Sequence, residues 1–588
     1  MKKKILNYII ALSSLLTVFF VSFYSGDIWH SIELSHEHEI LAVFFLTAIM
    51  FMLSSLVYHV ANLIKLPSFV VAIFLGILAK PFLEPIISNQ GSLSVLVGLG
   101  ATLILFGGGL ETPFNNFKKL ILKIFSLSFP GLLITAFLTS FAIYHIGNMM
   151  NLGLSILVAV LLGAVLASTD PAAIIPILKR LKFKNRSVKD IVISESAFTD
   201  VTGTLLTLVF LSIIAKGIFF ENIISWYSSV FSVESGLIIL KQLFFGILLG
   251  FVGYGLLEIL SRLKKHSNHS HEADLPFFLF VPIVIFVFAL IFEGSGYLAA
   301  FIAGLLFHLT DHLKDTEHFF NNLVEGFLKP TIFILLGGLV DVAKLLEYAP
   351  IGILIALIFM FVIRPITVFV SLTLFRFFGK ERLSFNDLLF ISFVRETGAI
   401  PAVLLVTIAS LGLPNVEGLL EIGMWVILAT LIIAPPLTPK VAQKLKVAKI
   451  MGDEKSLELP TSPEVMIVSR GYGFTNRLGV VVDYAVLQNI EKVSLLLCLE
   501  EKYTKELEQS IKARAFKAFR DENKRLKKED KKEITFRFIS REGLLEDNID
   551  FISDQKNSYV TTIFAGKKIL DYHLDEIKQL NIPIRFID

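Results

Sequence analysis

The stretch "VKDIVISESAFTDVTGTLLTLVFLSIIA", residues 188–215, decides how this chain folds. It is long and apolar enough to cross a bilayer, yet it carries two acids, Glu195 and Asp200. Asp200 lies about 18 Å along such a helix, near the middle of a hydrocarbon layer about 30 Å thick. Because an ionisable residue at that depth is costly, it usually has a function. The stretch therefore predicts a membrane-spanning helix with a polar site inside it.

The composition of the whole chain agrees with a membrane protein. Of its 588 residues 54% are hydrophobic and only 18% are charged, whereas soluble proteins have about 25% charged residues. The net charge of +3 is too small to suggest a nucleic-acid partner. The single cysteine, Cys498, excludes an internal disulfide framework and a thiolate metal cluster. We expect no cofactor.

The density of charge changes near residue 440. Before that point, apolar segments long enough to cross a bilayer recur about 13–14 times; the first, at about 5–24, fits a retained span or a cleaved signal segment. After it no segment is long enough. We predict an N-terminal span and extracytoplasmic loop (1–40), a membrane domain (41–445) and a soluble α/β domain (446–588).

The distribution of Lys and Arg predicts the orientation. With the N-terminus inside, about 24 of these residues lie on the inner side and about 4 on the outer side, which is a strong positive-inside bias. The sequence therefore predicts a multi-pass protein of the cell membrane with both termini in the cytoplasm.

Two pairs of segments indicate an internal repeat. "LILFGGGLE" (103–111) resembles "FILLGGLVD" (333–341), and "PSFVVAIFLGILA" (67–79) resembles "GYLAAFIAGLLF" (296–307). Both pairs are seven spans apart, so the copies cross the membrane in opposite directions. The prediction is an all-α membrane domain of two inverted six-helix repeats, an arrangement typical of secondary transporters.

The fifth span of each repeat contains residues that interrupt helices. The first reads "ASTDPAAIIPIL" (167–178) and the second "FVRETGAIPAVL" (393–404). Proline removes a backbone donor and clashes with the preceding turn, so both helices should break. Exposed backbone at this depth is tolerated where it lines a polar cavity. Paired interruptions of this kind predict a transport site.

Oxygen-bearing side chains from the first break and span seven form one candidate site. Ser196 and Asp200 are one helical turn apart and share a face, as do Glu195 and Thr199. The predicted ion- and proton-binding residues are Asp200, Glu195, Ser196, Thr199, Thr169 and Asp170. Hard oxygen ligands suit Na⁺ or another small cation and no soft metal. A proton competes for the same oxygens, which would couple the two movements.

Two arginines lie in apolar segments. Arg395, in the second break, would offset the negative charge of the site. Arg364 precedes Pro365, and we expect it to be structural, bonded to carbonyls that the proline frees.

The membrane domain resembles the monovalent cation:proton antiporter superfamily, in its Na⁺(K⁺)/H⁺ exchanger branch. The motifs run in family order from about 40 to 445: "STDP", "ESAFTD", "GSGYLAAFIAGLLF", "IRP", "VRETGAIP" and "LATLIIAPPLTPKVAQKL". The resemblance implies a secondary transporter rather than an enzyme. It also implies a homodimer in the bilayer, with a moving core of six helices in each subunit.

The resemblance also implies roles for individual residues. Asp200 would be the exchange carboxylate, and the Na⁺ ligands would be Asp200, Glu195, Ser196 and Thr169. Asp170 and Arg395 would neutralise the ends of the broken helices.

Three departures from the family pattern bear on these roles. Thr199 stands where the family usually has Asn before the aspartate; since it cannot ionise, one carboxylate remains exchangeable, which favours electroneutral exchange. Gly107 replaces a glutamate that resembles a partner for Arg395, and we expect Glu396 to supply the charge compensation instead. Na⁺ is the expected cation, with K⁺ or Li⁺ as alternatives.

The C-terminal domain alternates strand-like and helical segments, which indicates an α/β sheet. After its first strand, "GYGFTNRLG" (471–479) forms a turn into a helix whose N-terminus would suit an anion. The domain faintly resembles a universal-stress-protein module. We expect a regulatory role, with a small-molecule regulator as one partner class.

Two alternative functions were weighed. A K⁺ efflux channel-like system would share the fold and superfamily. An intramembrane aspartyl protease would use Asp170 and Asp200, but "AFTD" lacks the Gly-x-Gly-Asp context of such enzymes.

Overall fold

A computed structural model of the chain divides into two compact units, Met1–Ile450 and Met451–Asp588. The residues that the structure describes are 13, 15–16, 18–19, 22–33, 38–64, 66–112, 114–169, 177–178, 181–266, 274–307, 314–376, 382–450, 463–469, 474–499, 505–529, 531–542, 560–566 and 584–587.

The first unit is a helical membrane domain, as predicted. Among the described residues eight helices are long and apolar enough to cross a membrane, and a pair bent by 86°, Ser68–Leu78 with Lys80–Ile87, makes nine. Four shorter apolar helices account for further candidate spans. The first candidate span, at about 5–24, lies mostly outside the described residues. The protein is therefore a multi-pass membrane protein.

Ten α-helices of the first half lie among the described residues. They are α1 (Ser25–Glu33), α2 (His38–Ile64), α3 (Ser68–Leu78), α4 (Lys80–Ile87), α5 (Gln90–Glu111), α6 (Phe114–Ser126), α7 (Leu132–Met149), α8 (Ile156–Leu166), α9 (Arg186–Ala215) and α10 (Ile223–Ser229). A π-helical turn, Leu127–Gly131, joins α6 to α7 at Pro130, so these two helices form one span.

The second half begins with the long connecting helix α11. Its helices are α11 (Val233–His266), α12 (Asp274–Ile291), α13 (Gly296–Leu306), α14 (Lys314–Leu323), α15 (Lys329–Leu339), α16 (Val342–Glu347), α17 (Ala349–Ile358), α18 (Arg364–Leu372), α19 (Phe385–Phe393), α20 (Ala399–Ser410) and α21 (Leu419–Lys444). π-helical turns Val324–Leu328 and Phe359–Ile363 join α14 to α15 and α17 to α18.

Two short strands extend the membrane unit beyond the predicted boundary at 445. β1 (Leu181–Phe183), just before α9, pairs antiparallel with β2 (Ala448–Ile450), just after α21. Because this pairing holds residues 448–450 against the helical unit, the first unit ends at Ile450.

Close approaches between glycines and backbone carbonyls reveal the inverted repeat. Helix α3 packs on α15, where Gly76 meets the Ile334 carbonyl and Gly337 meets the Ile73 carbonyl. Helix α5 packs on α13 in the same way, through Gly109 with the Phe301 carbonyl and Gly304 with the Phe106 carbonyl. A β-carbon at any of these glycines would overlap the opposite backbone. Both helix pairs join the first half to the second, and each contact of one pair has a counterpart in the other pair.

These contacts correct the register of the repeat. Gly76 and Gly304 are 228 positions apart, as are Gly109 and Gly337. Aligning the segments 103–111 and 333–341 end to end would instead match Gly107 to Gly337. The glycine runs differ in length, so letter-by-letter similarity misplaces the register by two residues, whereas the packing contacts fix it.

The second break has the predicted form. Residues 394–398 interrupt the helix between α19 and α20. Gly398 caps α20 with φ −124° and ψ −138°. In the first break, α8 ends at Leu166, and residues 170–176 lie outside the described residues.

The second unit is an α/β domain, as predicted. Its elements are β3 (Glu464–Ser469), α22 (Phe474–Leu487), β4 (Lys492–Leu499), α23 (Lys505–Lys528), β5 (Thr535–Glu542), β6 (Val560–Gly566) and β7 (Ile584–Ile587). All pairings are parallel, in the strand order β5-β4-β3-β6-β7. This order is that of a doubly wound sheet. Most residues of β3 and β4 are apolar and buried, as is usual for the central strands of a parallel sheet.

Candidate functional site

Helix α9 carries the polar residues that the sequence singled out. Asn185 caps its N-terminus by accepting from the Ser187 amide at 3.1 Å. Further along, Glu195, Ser196, Thr199 and Asp200 are all buried, with exposed fractions of 2, 3, 1 and 8%. The apolar run that makes α9 a spanning helix also shields these four residues from lipid and water.

Three of the predicted residues form a hydroxyl cluster where α8 ends. The hydroxyl oxygens of Thr169 and Thr199 lie 2.8 Å apart, and the Thr169 amide donates to the same Thr199 oxygen at 3.3 Å. The Ser196 hydroxyl donates to the Thr169 carbonyl. The structure thus joins Thr169, Ser196 and Thr199, three of the residues predicted for the site. It ties the first break directly to the helix beside it.

Asp200 is linked to the same break through Ser168. The Ser168 hydroxyl donates to Asp200 Oδ1 at 2.5 Å, and Ser168 is fully buried. The sequence analysis did not select Ser168, although it stands next to Thr169 in "STDP". Asp170, the remaining predicted residue of this motif, lies outside the described residues.

Glu195 has a partner that the sequence analysis did not foresee. Arg364 Nη2 donates to Glu195 Oε2 at 2.6 Å, and the two side chains are 1% and 3% exposed. Arg364 is therefore an ion-pair partner, which corrects the prediction that it bonds to carbonyls freed by Pro365. A buried guanidinium gains more from an opposite charge than from neutral acceptors.

The ion pair also changes the expected role of Glu195. One of its oxygens is occupied by Arg364, and Oε1 accepts no hydrogen bond from the described residues. At most that second oxygen is available to a cation. Glu195 is thus first of all a link between α9 and α18.

Arg395 reaches across from the second break to the first. Its Nη2 donates to the Ala167 carbonyl at the end of α8, and its guanidinium lies 4.9 Å from the centre of the Phe359 ring. A cation at a helix C-terminus offsets the partial negative charge there. Arg395 also interacts electrostatically with Arg364 and Glu195.

The contacts that the structure describes for Arg395 do not include the expected pairing with Glu396. Both residues are buried, at 3% and 1% exposure, and none of the ion pairs among the described residues joins them. The described hydrogen bond of Arg395 goes to the end of α8. Gly107 is not beside Arg395 either, since the atoms nearest a β-carbon there belong to Phe320, Val324 and Asn321.

A second threonine pair repeats the hydroxyl cluster in the other half. The hydroxyl oxygens of Thr397 and Thr430 lie 2.7 Å apart, and the Thr397 amide donates to Thr430 Oγ1 at 3.3 Å. Thr169 and Thr397 are 228 positions apart, the shift that also relates the glycine contacts. The sequence analysis missed this pair, because Thr430 lies in an otherwise apolar span.

Comparison with known proteins decides the family. The family model "Sodium/hydrogen exchanger, transmembrane" matches residues 51–444, which is most of the membrane unit. The chain belongs to the sodium/hydrogen exchanger family. This is a family of transporters, so the exchanger is not an enzyme, and the alternative of an aspartyl protease is set aside.

Curated relatives and a solved structure agree with this assignment. The exchanger is 28% identical to a K⁺/H⁺ antiporter NhaP of Alkalimonas amylolytica, across 70% of this chain and 68% of the relative. It is 29% identical to Na⁺/H⁺ antiporter 1 of Methanocaldococcus jannaschii, across 62% and 83%. The solved structure of the sodium proton antiporter MjNhaP1 from the same organism at pH 8 matches with a TM-score of 0.54 and 25% identity, across 69% of this chain and 99% of that one.

Proposed function

We propose that the exchanger moves Na⁺ and H⁺ in opposite directions across the membrane, by competition of the two ions at Asp200. The observation that carries this proposal is the bond from Ser168, in the first break, to the buried Asp200 carboxylate on α9. Beside a helix break inside the membrane, a carboxylate and the free backbone carbonyls can replace the water molecules around a cation.

The proposed Na⁺ ligands are oxygens that surround this contact. Asp200 supplies the charge, and Ser196 and Thr169 supply hydroxyl or carbonyl oxygens, with Thr199 holding the Thr169 hydroxyl. Glu195 Oε1 would complete the set. Such an all-oxygen set suits a small hard cation. In the alternating-access cycle, a proton taken up by Asp200 on one side would release the cation there.

One-for-one exchange is the stoichiometry that the site supports. Glu195 is held by Arg364, and Thr199 cannot ionise. The exchanged charge then rests on Asp200, so one proton replaces one monovalent cation and no net charge moves. Imposed voltage should leave the exchange rate unchanged, whereas the flux through a channel-like system would follow the voltage.

The decisive experiment uses purified protein in proteoliposomes with an imposed pH gradient. Wild type should take up ²²Na⁺ in exchange for protons, and Asp200→Asn should abolish uptake while its elution profile and melting temperature stay close to wild type. Transport by Asp200→Asn at the wild-type rate would refute Asp200 as the exchange carboxylate.

K⁺ is the second candidate cation, because one similar relative is named a K⁺/H⁺ antiporter. Competition of ²²Na⁺ uptake by K⁺, Li⁺ and Rb⁺ in the same vesicles ranks the cations. We also propose a homodimer with both termini in the cytoplasm, in line with the charge bias of the loops. Mass photometry in nanodiscs and protease accessibility of tagged termini test these two points.

A further inference from the structure

Two hydrogen bonds join Thr397 in the second break to one oxygen of α21. The Thr397 amide donates to Thr430 Oγ1 at 3.3 Å, and the two hydroxyl oxygens lie 2.7 Å apart. The Thr430 hydroxyl also lies 3.0 Å from the Ile427 carbonyl within α21. Thr199 is arranged identically, with its hydroxyl donating to the Ser196 carbonyl at 2.9 Å. In each half a spanning helix thus holds the neighbouring break by two bonds to one oxygen.

The pair Thr397–Thr430 stands at one end of a line of direct contacts that reaches the exchange carboxylate. Thr397 belongs to the same non-helical segment, 394–398, as Arg395. Arg395 donates to the Ala167 carbonyl, and the next residue, Ser168, donates to Asp200. The position of Ala167 thus depends on where the segment 394–398 is held.

We propose that Thr397 and Thr430 are positioning residues of the exchange site. They fix the second break so that Arg395 holds the end of α8, and with it Ser168 and Thr169, against α9. Among the described residues no hydrogen bond joins either threonine to the proposed cation ligands. We call the hydrogen-bonded pair Thr397–Thr430 the clamp. The inference rests on the proposed function, and it adds that this clamp, which lies in the second repeat, positions the site in the first repeat.

The same helix provides a matched control. Thr438 is also fully buried on α21, and its one hydrogen bond among the described residues goes from its hydroxyl to the Ala434 carbonyl of its own helix, at 2.8 Å. Thr438→Val therefore removes a buried hydroxyl without releasing a break. Thr430→Ser keeps the hydroxyl of the clamp and removes only a methyl group.

The experiment measures the cation KM and maximal rate of exchange in proteoliposomes for Thr430→Val, Thr397→Val, the double variant, Thr430→Ser and Thr438→Val. Each clamp variant should raise KM about three- to tenfold, which is the range that one net hydrogen bond represents. The double variant should be no worse than either single variant, since both remove the same link. Thr430→Ser should keep most of the wild-type affinity.

Three results would overturn the proposal: an unchanged KM in both clamp variants, effects that multiply in the double variant, or an equal rise in KM for Thr438→Val. We expect Thr430→Val and Thr438→Val to have equal melting temperatures in detergent. A rise in KM for Thr430→Val alone is then due to lost positioning and not to a general loss of stability. If wild type itself shows no cation/proton exchange, the proposed function fails. If wild type exchanges cations for protons and the clamp variants have the wild-type KM, the positioning role of Thr397 and Thr430 is refuted while the proposed function stands.

Discussion

Arg364 Nη2 lies 2.6 Å from Glu195 Oε2, and this buried ion pair joins two spans that are 169 positions apart in the chain. The pair connects α18, just after a π-helical turn, to α9, the helix that carries Asp200. A charge left without its partner at this depth is far more costly than an intact pair.

We therefore predict that Glu195→Gln lowers the free energy of unfolding by about 3–5 kcal/mol, because Arg364 loses its counter-charge. The double variant Glu195→Gln/Arg364→Gln should recover part of that loss, since no charge is then left unpaired. Thermal unfolding in detergent measures both effects. Lys216→Gln is the control, because the Lys216–Glu234 pair is exposed, at 45% and 65%, and should contribute little. Equal melting temperatures for Glu195→Gln and Lys216→Gln would contradict the prediction.

The hydroxyl of Ser168 should contribute to cation affinity. It donates to Asp200 Oδ1 and orients the carboxylate that we assign to exchange. Ser168→Ala should raise the KM for Na⁺ about ten- to a hundredfold, in keeping with one lost hydrogen bond to a charged group. Ser194→Ala is a matched control on α9, since the Ser194 hydroxyl is fully buried and has no hydrogen-bond partner among the described residues. If both variants keep the wild-type KM, Ser168 does not position Asp200.

Gly203 allows Ser168 to approach α9. A β-carbon at Gly203 would lie 2.9 Å from the Ser168 β-carbon, so Gly203→Ala must displace Ser168 or α9. A small displacement of a binding group can be expensive, and we expect uptake at low Na⁺ to fall about tenfold or more. Gly255→Ala on α11 has open space around it and should transport like wild type. Normal uptake by Gly203→Ala would show that this contact is dispensable.

Local chemistry accounts for what could be predicted from the sequence. Long apolar runs predicted the spans, alternating strand and helix patterns predicted the α/β domain, and the Gly and Pro residues of 393–404 predicted the second break. Spacing on α9 places Ser196 with Asp200 and Glu195 with Thr199, because residues one turn apart share a face.

Contacts between distant segments could not be predicted in this way. The Glu195–Arg364 pair and the Thr397–Thr430 pair each depend on which spans pack together, and sequence spacing carries no information about that. The described contact of Arg395 also depends on packing. Adjacency in sequence suggested Glu396, whereas the described hydrogen bond of Arg395 goes to the Ala167 carbonyl at the end of α8.

The α/β domain contains a buried acid that should make its stability depend on pH. Glu464, the first residue of β3, is only 1% exposed, and Arg537 Nη1 lies 3.6 Å from its Oε1. Burial raises the pKa of the Glu464 carboxyl above its usual value, and the charge of Arg537 lowers it only in part. Since the folded domain then holds this proton more tightly than the unfolded chain does, it is most stable below the ordinary glutamate pKa of about 4.3.

Stability should therefore decrease as the pH rises through the raised pKa of Glu464, because the buried carboxyl must then ionise. We predict that Glu464→Gln stabilises β3 and its neighbours at pH 8 and has little effect at pH 4. Hydrogen exchange of peptides from β3, β4 and β5 in the full-length protein measures this, with variant and wild type compared at the same pH so that intrinsic exchange rates cancel. Glu533→Gln, at an exposed carboxylate just before β5, should change exchange at neither pH. Equal protection of wild type and Glu464→Gln at both pH values would mean that Glu464 ionises as readily in the folded domain as in the unfolded chain.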